Sequence, residues 1–163
     1  MSNPETPQSQ PPSQPVSIEQ VRSEADLFQA LAIREVVFIE EQHVPEGIER
    51  DEEDAKAYHV LAFQGGHAVG TGRLVILAEP PEGRSGTWAQ VGRMAVLRAH
   101  RKGRIGTLLL EALETEARKR KVSGLMLHAQ LYALEFYKKH GFHPVGPVFD
   151  EAGMPHLEML KEL

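Results

Sequence analysis

Cysteine is missing from this chain of 163 residues, which removes disulfides, a thiolate nucleophile and thiolate metal sites in one step. Covalent or redox chemistry has to come from other groups, and the composition suits a reducing compartment, so a cytoplasmic location is expected. A basic surplus is missing too: 18 Lys and Arg stand against 23 Asp and Glu, a formal net charge of −5. Such a balance argues against a general nucleic-acid surface. The first 16 residues lack an apolar core and hold five Pro, three Gln and three Ser. They read as a disordered tail, neither a signal peptide nor a membrane span, and no membrane partner is expected. Gly-x-x-x-x-Gly-Lys-Ser/Thr is absent, the chain's basic turn lacks Gly-x-Gly-x-x-Gly spacing, and no His-Glu-x-x-His occurs. The two common nucleotide motifs and the helical zinc pair therefore fail. His140 and His143 lie three apart, but Gly141 interrupts the helix between them, so no metal site is expected.

The remaining residues, 17–163, fit one domain with a single core. Val16 to Val21 alternates like a half-buried strand, and Ser23 with Asp26 marks the start of a helix running from about Glu24 to Glu35. Val36 to Ile39 leads into an acidic connection, Glu40 to Asp54, where Pro45 and Gly47 argue against continuous regular structure. Tyr58–Phe63 and Ala68–Ile76 form two strands joined through Gln64-Gly65-Gly66, a hairpin signal. A Pro/Gly-rich connection returns the chain to a third strand, Gln90 to Leu97. A helix follows, then a strand over Gly124–Ala129, a helix over Tyr132–His140 stopped by Gly141, and two short strands near Pro144–Phe149 and His156–Leu160. The order predicts an α/β (α+β) fold in which helices pack on a mixed, mostly antiparallel sheet.

One turn carries most of the chemical information. Arg101-Lys102-Gly103-Arg104-Ile105-Gly106-Thr107 lies between the third strand of that series and a helix whose Ile105, Leu108, Leu109, Ala112, Leu113 and Ala117 share one face. Cations at a helix N-terminus are unfavourable by roughly 0.3 to 1 kcal/mol each, so this placement calls for an anion. Free backbone N–H groups and the positive end of the helix dipole converge there.

These residues resemble the GCN5-related N-acetyltransferase (GNAT) family over about residues 16–160. The family's cofactor turn reads Gln/Arg-x-x-Gly-x-Gly/Ala; Arg101 matches its first place and Gly106 its last, while Arg104 stands where the middle Gly is usual. Ala133-Leu134-Glu135-Phe136-Tyr137-Lys138-Lys139-His140-Gly141-Phe142 is similar to the family's Ala-x-x-x-Tyr-x-x-x-Gly-Phe segment. Val91-Gly92-Arg93-Met94-Ala95-Val96 is similar to the strand that pairs with the pantetheine arm. The stretches Arg34–Gln42 and Phe149–His156 further resemble a single-domain bacterial subgroup.

The resemblance implies an acetyl-CoA-dependent N-acetyltransferase with a central sheet splayed after its fourth strand and about four flanking helices. Acetyl-CoA is the implied co-substrate, with no metal. The implied cofactor residues are Met94, Ala95 and Val96 through their backbone, the turn Arg101, Lys102, Gly103, Arg104, Ile105, Gly106 and Thr107, and Gln130. Tyr137 is the implied general acid for the departing thiolate. The general base is not written in any motif; Glu41, from the acidic connection, is taken as the candidate, with His59, His128 and His156 as alternatives. The acidic connection as a group favours a cationic small-molecule or peptide amine, and a terminal or edge strand offers a route to a homodimer. Direct transfer through a ternary complex is the expected mechanism, and a non-catalytic acyl-CoA sensor of the same fold is the alternative.

Overall fold

The structure is a computed structural model that describes residues 14–163. Residues 1–13 of the expected tail lie outside the described residues, and Val16, its last residue, already belongs to β1. The elements run β1 (Val16–Gln20), α1 (Glu24–Arg34), a π-helical continuation (Glu35–Glu41), α2 (Glu46–Glu49), a 3-10 turn (Glu52–Ala55), β2 (Tyr58–Gln64) and β3 (His67–Ile76). They continue with β4 (Trp88–Val96), α3 (Ile105–Lys119), β5 (Gly124–Gln130), α4 (Leu134–Lys139), β6 (His143–Glu151) and β7 (Met154–Glu162). All seven strands form one sheet in the order β1-β2-β3-β4-β5-β7-β6. Only the β4–β5 pair is parallel.

Each face of the sheet buries one long helix. Ser23 caps α1 by accepting from the Asp26 backbone N–H at 3.1 Å, and Ala30, Ile33 and Val37 pack on Leu61 and Ala95. On the other face Ile105, Leu109, Leu113 and Ala117 of α3 enter a core with Val60, Leu74, Val91, Leu125 and Leu127. Each such aliphatic side chain contributes roughly 1.5–3 kcal/mol when fully buried. β3 lets α3 approach closely because it carries glycine where the helix crosses. A Cβ at Gly72 would lie 2.9 Å from Met94 Sδ and 3.0 Å from Leu113 Cδ1.

The first helix runs further than the sequence implied. Val36-Val37-Phe38-Ile39 is a β-branched, apolar run, and it was expected to leave the helix; instead it widens into π-helix and keeps Val37 and Phe38 against the core. The acidic connection is discontinuous as expected, but it forms two short helical turns, the first beginning after Pro45 and containing Gly47, the second capped by Asp51 and Asp54 reciprocally. β6 and β7 are longer than expected, turning tightly at Ala152 and Gly153, both at positive φ.

Candidate active site

β4 and β5 pair only over Trp88↔Gly124, Ala89↔Leu125 and Gln90↔Met126. Beyond Gln90 the two strands separate, and a cleft of about 730 Å³ opens between them, bordered by Val91–Val96 on one side and Leu127, His128 and Gln130 on the other. A bulge in β4 enlarges the opening: the register with β3 shifts between Thr71↔Ala95 and Arg73↔Gly92, and Arg93 adopts φ +50°. Met94, Ala95 and Val96 therefore line the cleft with no partner on β5.

The basic turn lies at one end of this cleft, with Arg101, Gly103, Gly106 and Thr107 on its wall. No side chain caps α3, so its first-turn N–H groups are left for a ligand. Arg104, in the place where glycine is usual, has φ −94° and ψ 13°, a conformation open to any residue. Its side chain costs the turn nothing in backbone strain. Lys102 and Arg104 are exposed, whereas the Ile105 side chain is core, leaving that residue only its backbone for a ligand.

Arg101 does something the sequence did not announce. Its Nε donates to the Val96 carbonyl at 2.8 Å and its Nη2 to both carboxylate oxygens of Glu41, at 2.9 and 2.8 Å. Arg98 adds a second cation 3.6 Å from Glu41. The carboxylate of Glu41, the expected base, thus ties the end of the π-helical turn to the start of the basic turn. The next residue, Gln42, reaches the opposite strand, accepting from Gln130 Nε2 at 3.0 Å and donating to the Tyr132 hydroxyl at 3.3 Å. Glu41 and Gln42 together bridge the two sides of the split.

Tyr137 faces the cleft from α4, stacked edge-on against Phe136 and Phe142 at 5.1 and 5.9 Å between ring centroids. Burial, with a smaller contribution from Tyr132, pushes its phenol well above the usual range, so it stays protonated at neutral pH. Gln130 Oε1 is buried without a hydrogen-bond partner among the described residues. A buried amide oxygen left unpaired is costly unless a ligand supplies an N–H.

Two ionic groups border the cleft, one through Glu49 and Arg93 and the other through His128 and Glu151. On the first wall, Arg34 is fully buried and donates from Nε to Glu49 Oε1 at 2.5 Å and from Nη1 and Nη2 to Asp54 at 2.7 and 3.1 Å. Arg73 holds Asp51 and Asp54, and Arg93 holds the Ile48 and Glu49 carbonyls and Asp51. Burial opposes ionisation of Asp54, but the hydrogen bond and charge of Arg34 prevail and hold it at about 2. Three carboxylates of the acidic connection are therefore turned inward onto three arginines. The excess negative charge expected to draw a cationic acceptor is largely neutralised at this wall.

On the second wall, His128 Nδ1 lies 3.1 Å from Glu151 Oε1 and its Nε2 3.6 Å from Glu158. The Glu151 hydrogen bond raises the His128 pKa against its burial, and His128 lowers that of Glu151. The two other histidine candidates are placed differently. His59 is buried beneath the acidic connection, Nε2 donating to the Asp54 carbonyl at 2.9 Å, and burial lowers its pKa. His156 borders the cleft, but its Nδ1 donates to the Met154 carbonyl at 2.8 Å.

Sheets that open in the middle, between an antiparallel half and a short parallel pairing, are the architecture of the acyl-CoA N-acyltransferases. Residues 18–163 match the acetyltransferase (GNAT) domain, and the chain belongs to that family and is an acyltransferase. It is 36% identical over 151 residues to YyaT of Bacillus subtilis, covering 91% of this chain and 97% of that protein. It is also 36% identical over 142 residues to the uncharacterised N-acetyltransferase YjcF of the same organism, covering 86% and 96%. Among solved structures, Escherichia coli ElaA superposes with a TM-score of 0.74 at 28% identity, over 90% of this chain and 99% of that one. The fold class, the split sheet and the family resemblance all stand. The family's co-substrate is acyl-CoA, and among the described residues no helix is long and apolar enough to cross a membrane.

Proposed function

We propose that the protein transfers an acetyl group from acetyl-CoA to a primary amine by direct attack within a ternary complex. One observation carries this reading: a single cleft joins the uncapped start of α3, the stretch of β4 without a β5 partner, Tyr137 and the His128–Glu151 pair. Its volume lies within the 300–1,000 Å³ usual for small-molecule sites. Two substrates meet in such a cleft without an acyl-enzyme.

Acetyl-CoA, when bound, supplies an activated thioester. The N–H groups of Arg101–Thr107 hold its pyrophosphate, with Lys102 and Arg104 adding charge, and Gln130 Oε1 accepts from an amide of its arm. Backbone groups of Met94–Val96 align that arm as an added strand would, and the Ala95 N–H stabilises charge developing on the carbonyl oxygen. His128, oriented by Glu151, replaces Glu41 as the group that takes a proton from the amine, because the Glu41 carboxylate is held by Arg101. As the C–N bond forms and the C–S bond breaks, the Tyr137 hydroxyl protonates the sulfur. The ammonium loses two protons in all; one restores Tyr137 and the other leaves to solvent.

Acetyl-CoA should raise the melting temperature of the wild type and of Tyr137→Phe alike, because the hydroxyl acts on the leaving group and not on binding. Steady-state turnover of Tyr137→Phe should fall by about 10²-fold or more. Equal turnover of the two proteins would remove Tyr137 from the reaction, and binding without turnover in either would favour the acyl-CoA sensor.

A further inference from the structure

Glu49 is the one acidic side chain of the cleft wall that is both buried and incompletely satisfied. It is 2% exposed, its Oε1 is taken by Arg34, and its Oε2 has no hydrogen-bond partner among the described residues. A carboxylate oxygen withdrawn from water without a donor is unfavourable unless a ligand provides one. The rest of the local network is balanced: Arg34, Arg73 and Arg93 face Glu49, Asp51 and Asp54. On the opposite wall Glu151 and Glu158 face His128, and Glu151 also faces His156. On the Glu49 wall each carboxylate therefore has an arginine partner, and Glu49 Oε2 is the carboxylate oxygen left open there among the described residues.

The cleft that Glu49 borders also has an apolar lining. Val37 and Phe38 from the π-helical turn, Val44 and Ile48 from the acidic connection, and Met154 from β7 border the same cleft. Ile48 is 54% exposed, which puts it at the mouth.

Resting on the acyltransferase reading above, we propose that the acceptor is a monoamine with an apolar body, its amino group donating to Glu49 Oε2 and its hydrocarbon lying against Val37, Phe38, Val44, Ile48 and Met154. Arg34 is the positioning residue that fixes the carboxylate. Paired with a guanidinium, Glu49 serves as a hydrogen-bond acceptor for the amine, and the proton passes to His128. Polyamines and aminoglycosides fit poorly at this wall, since Asp51 and Asp54, the carboxylates beside Glu49 in the network, are already held by Arg34, Arg73 and Arg93.

The absence of cysteine makes the test direct: a thiol reagent added to the reaction reads only the coenzyme A released. Initial rates at fixed acetyl-CoA are measured with phenethylamine and hexylamine, and with spermidine and kanamycin. The two monoamines are expected to show kcat/KM at least tenfold above the polycations. Glu49→Gln should lose at least tenfold in kcat/KM for the monoamines, chiefly through KM, while acetyl-CoA still raises its melting temperature as in the wild type. Ile48→Asp, a change at an exposed position that does not threaten folding, should raise the monoamine KM at least fivefold and improve spermidine relative to them. An unchanged monoamine KM in Ile48→Asp overturns the proposal even if Glu49→Gln fails to fold. Preference of the wild type for spermidine or kanamycin overturns it while leaving acyl transfer intact. Stabilisation by acetyl-CoA with no thiol released from any amine overturns it together with the acyltransferase reading.

Discussion

His128 is the residue whose chemistry depends most on a single neighbour. Glu151 beside it on the same wall raises its pKa, with Glu158 adding to the effect and burial opposing it. As the proposed base it would work only when neutral, so activity should fall as pH drops through that raised value. In Glu151→Gln the largest cause of the rise is gone, and the acid limb of the kcat/KM profile should move to lower pH. His128→Gln should lose about 10²-fold or more in kcat/KM at pH 8, and a pH–rate profile that keeps its acid limb in that variant would exclude His128 as its source. The same pair affects stability with the opposite reading of pH. A raised histidine pKa stabilises the fold below the unfolded value of about 6.5, and the contribution disappears as pH rises through the folded one. None of this was legible from the sequence, which offered His128 only as one of three equivalent histidines, because the pairing depends on β6 and β7 folding back on β5. Glu41 shows the converse. It lies in the right connection, but a bidentate arginine contact across 60 residues of chain cannot be read from local spacing.

The elements themselves were far more legible. The order of strands and helices, the Gln64–Gly66 hairpin and the amphipathic α3 follow from periods of two and 3.6 and from glycine placement, and the structure has each of them. What periodicity missed is the π-helical widening at Glu35–Glu41, since its β-branched residues read as the end of a helix. Tertiary burial of Val37 and Phe38 keeps the segment helical, and the widening delivers Glu41 and Gln42 to the two sides of the split. Close packing between elements makes a sharper prediction at Gly72 in β3. Gly72→Ala would press a methyl group against Met94 and Leu113, the latter on the buried face of α3, and should destabilise the protein by about 1–3 kcal/mol. Gly103→Ala, in the turn, meets nothing within 4 Å and should leave stability nearly unchanged. Urea unfolding midpoints for the two variants check the contrast, and equal midpoints would mean that α3 can shift away from the sheet without penalty.

Across the whole molecule, the buried arginine network joins parts far apart in sequence: α1 through Arg34, the acidic connection through Glu49, Asp51 and Asp54, β3 through Arg73 and β4 through Arg93. Two members of the network, Glu49 and Arg93, border the cleft, so the stability of the fold and the geometry of that wall depend on the same charges. Asp54 links both to pH. Arg34 holds its carboxyl at about 2 against an ordinary value of 3.8, a difference on the order of 2 kcal/mol in favour of the folded state when the group is ionised. A depressed carboxyl pKa stabilises above the unfolded value, and that contribution is lost as pH falls from about 4 through 2. Asp54→Asn removes the charge at every pH and leaves Arg34 and Arg73 each short of a partner. It should cost about 3–5 kcal/mol at pH 7. The gap to wild type should then narrow as pH is lowered toward 2, where the wild-type carboxyl is itself protonated. Denaturant titrations of both proteins from pH 7 to pH 2.5 measure the gap directly. A difference that stays constant over that range would mean that Asp54 acts through shape alone, and that the network does not hold the site together by charge.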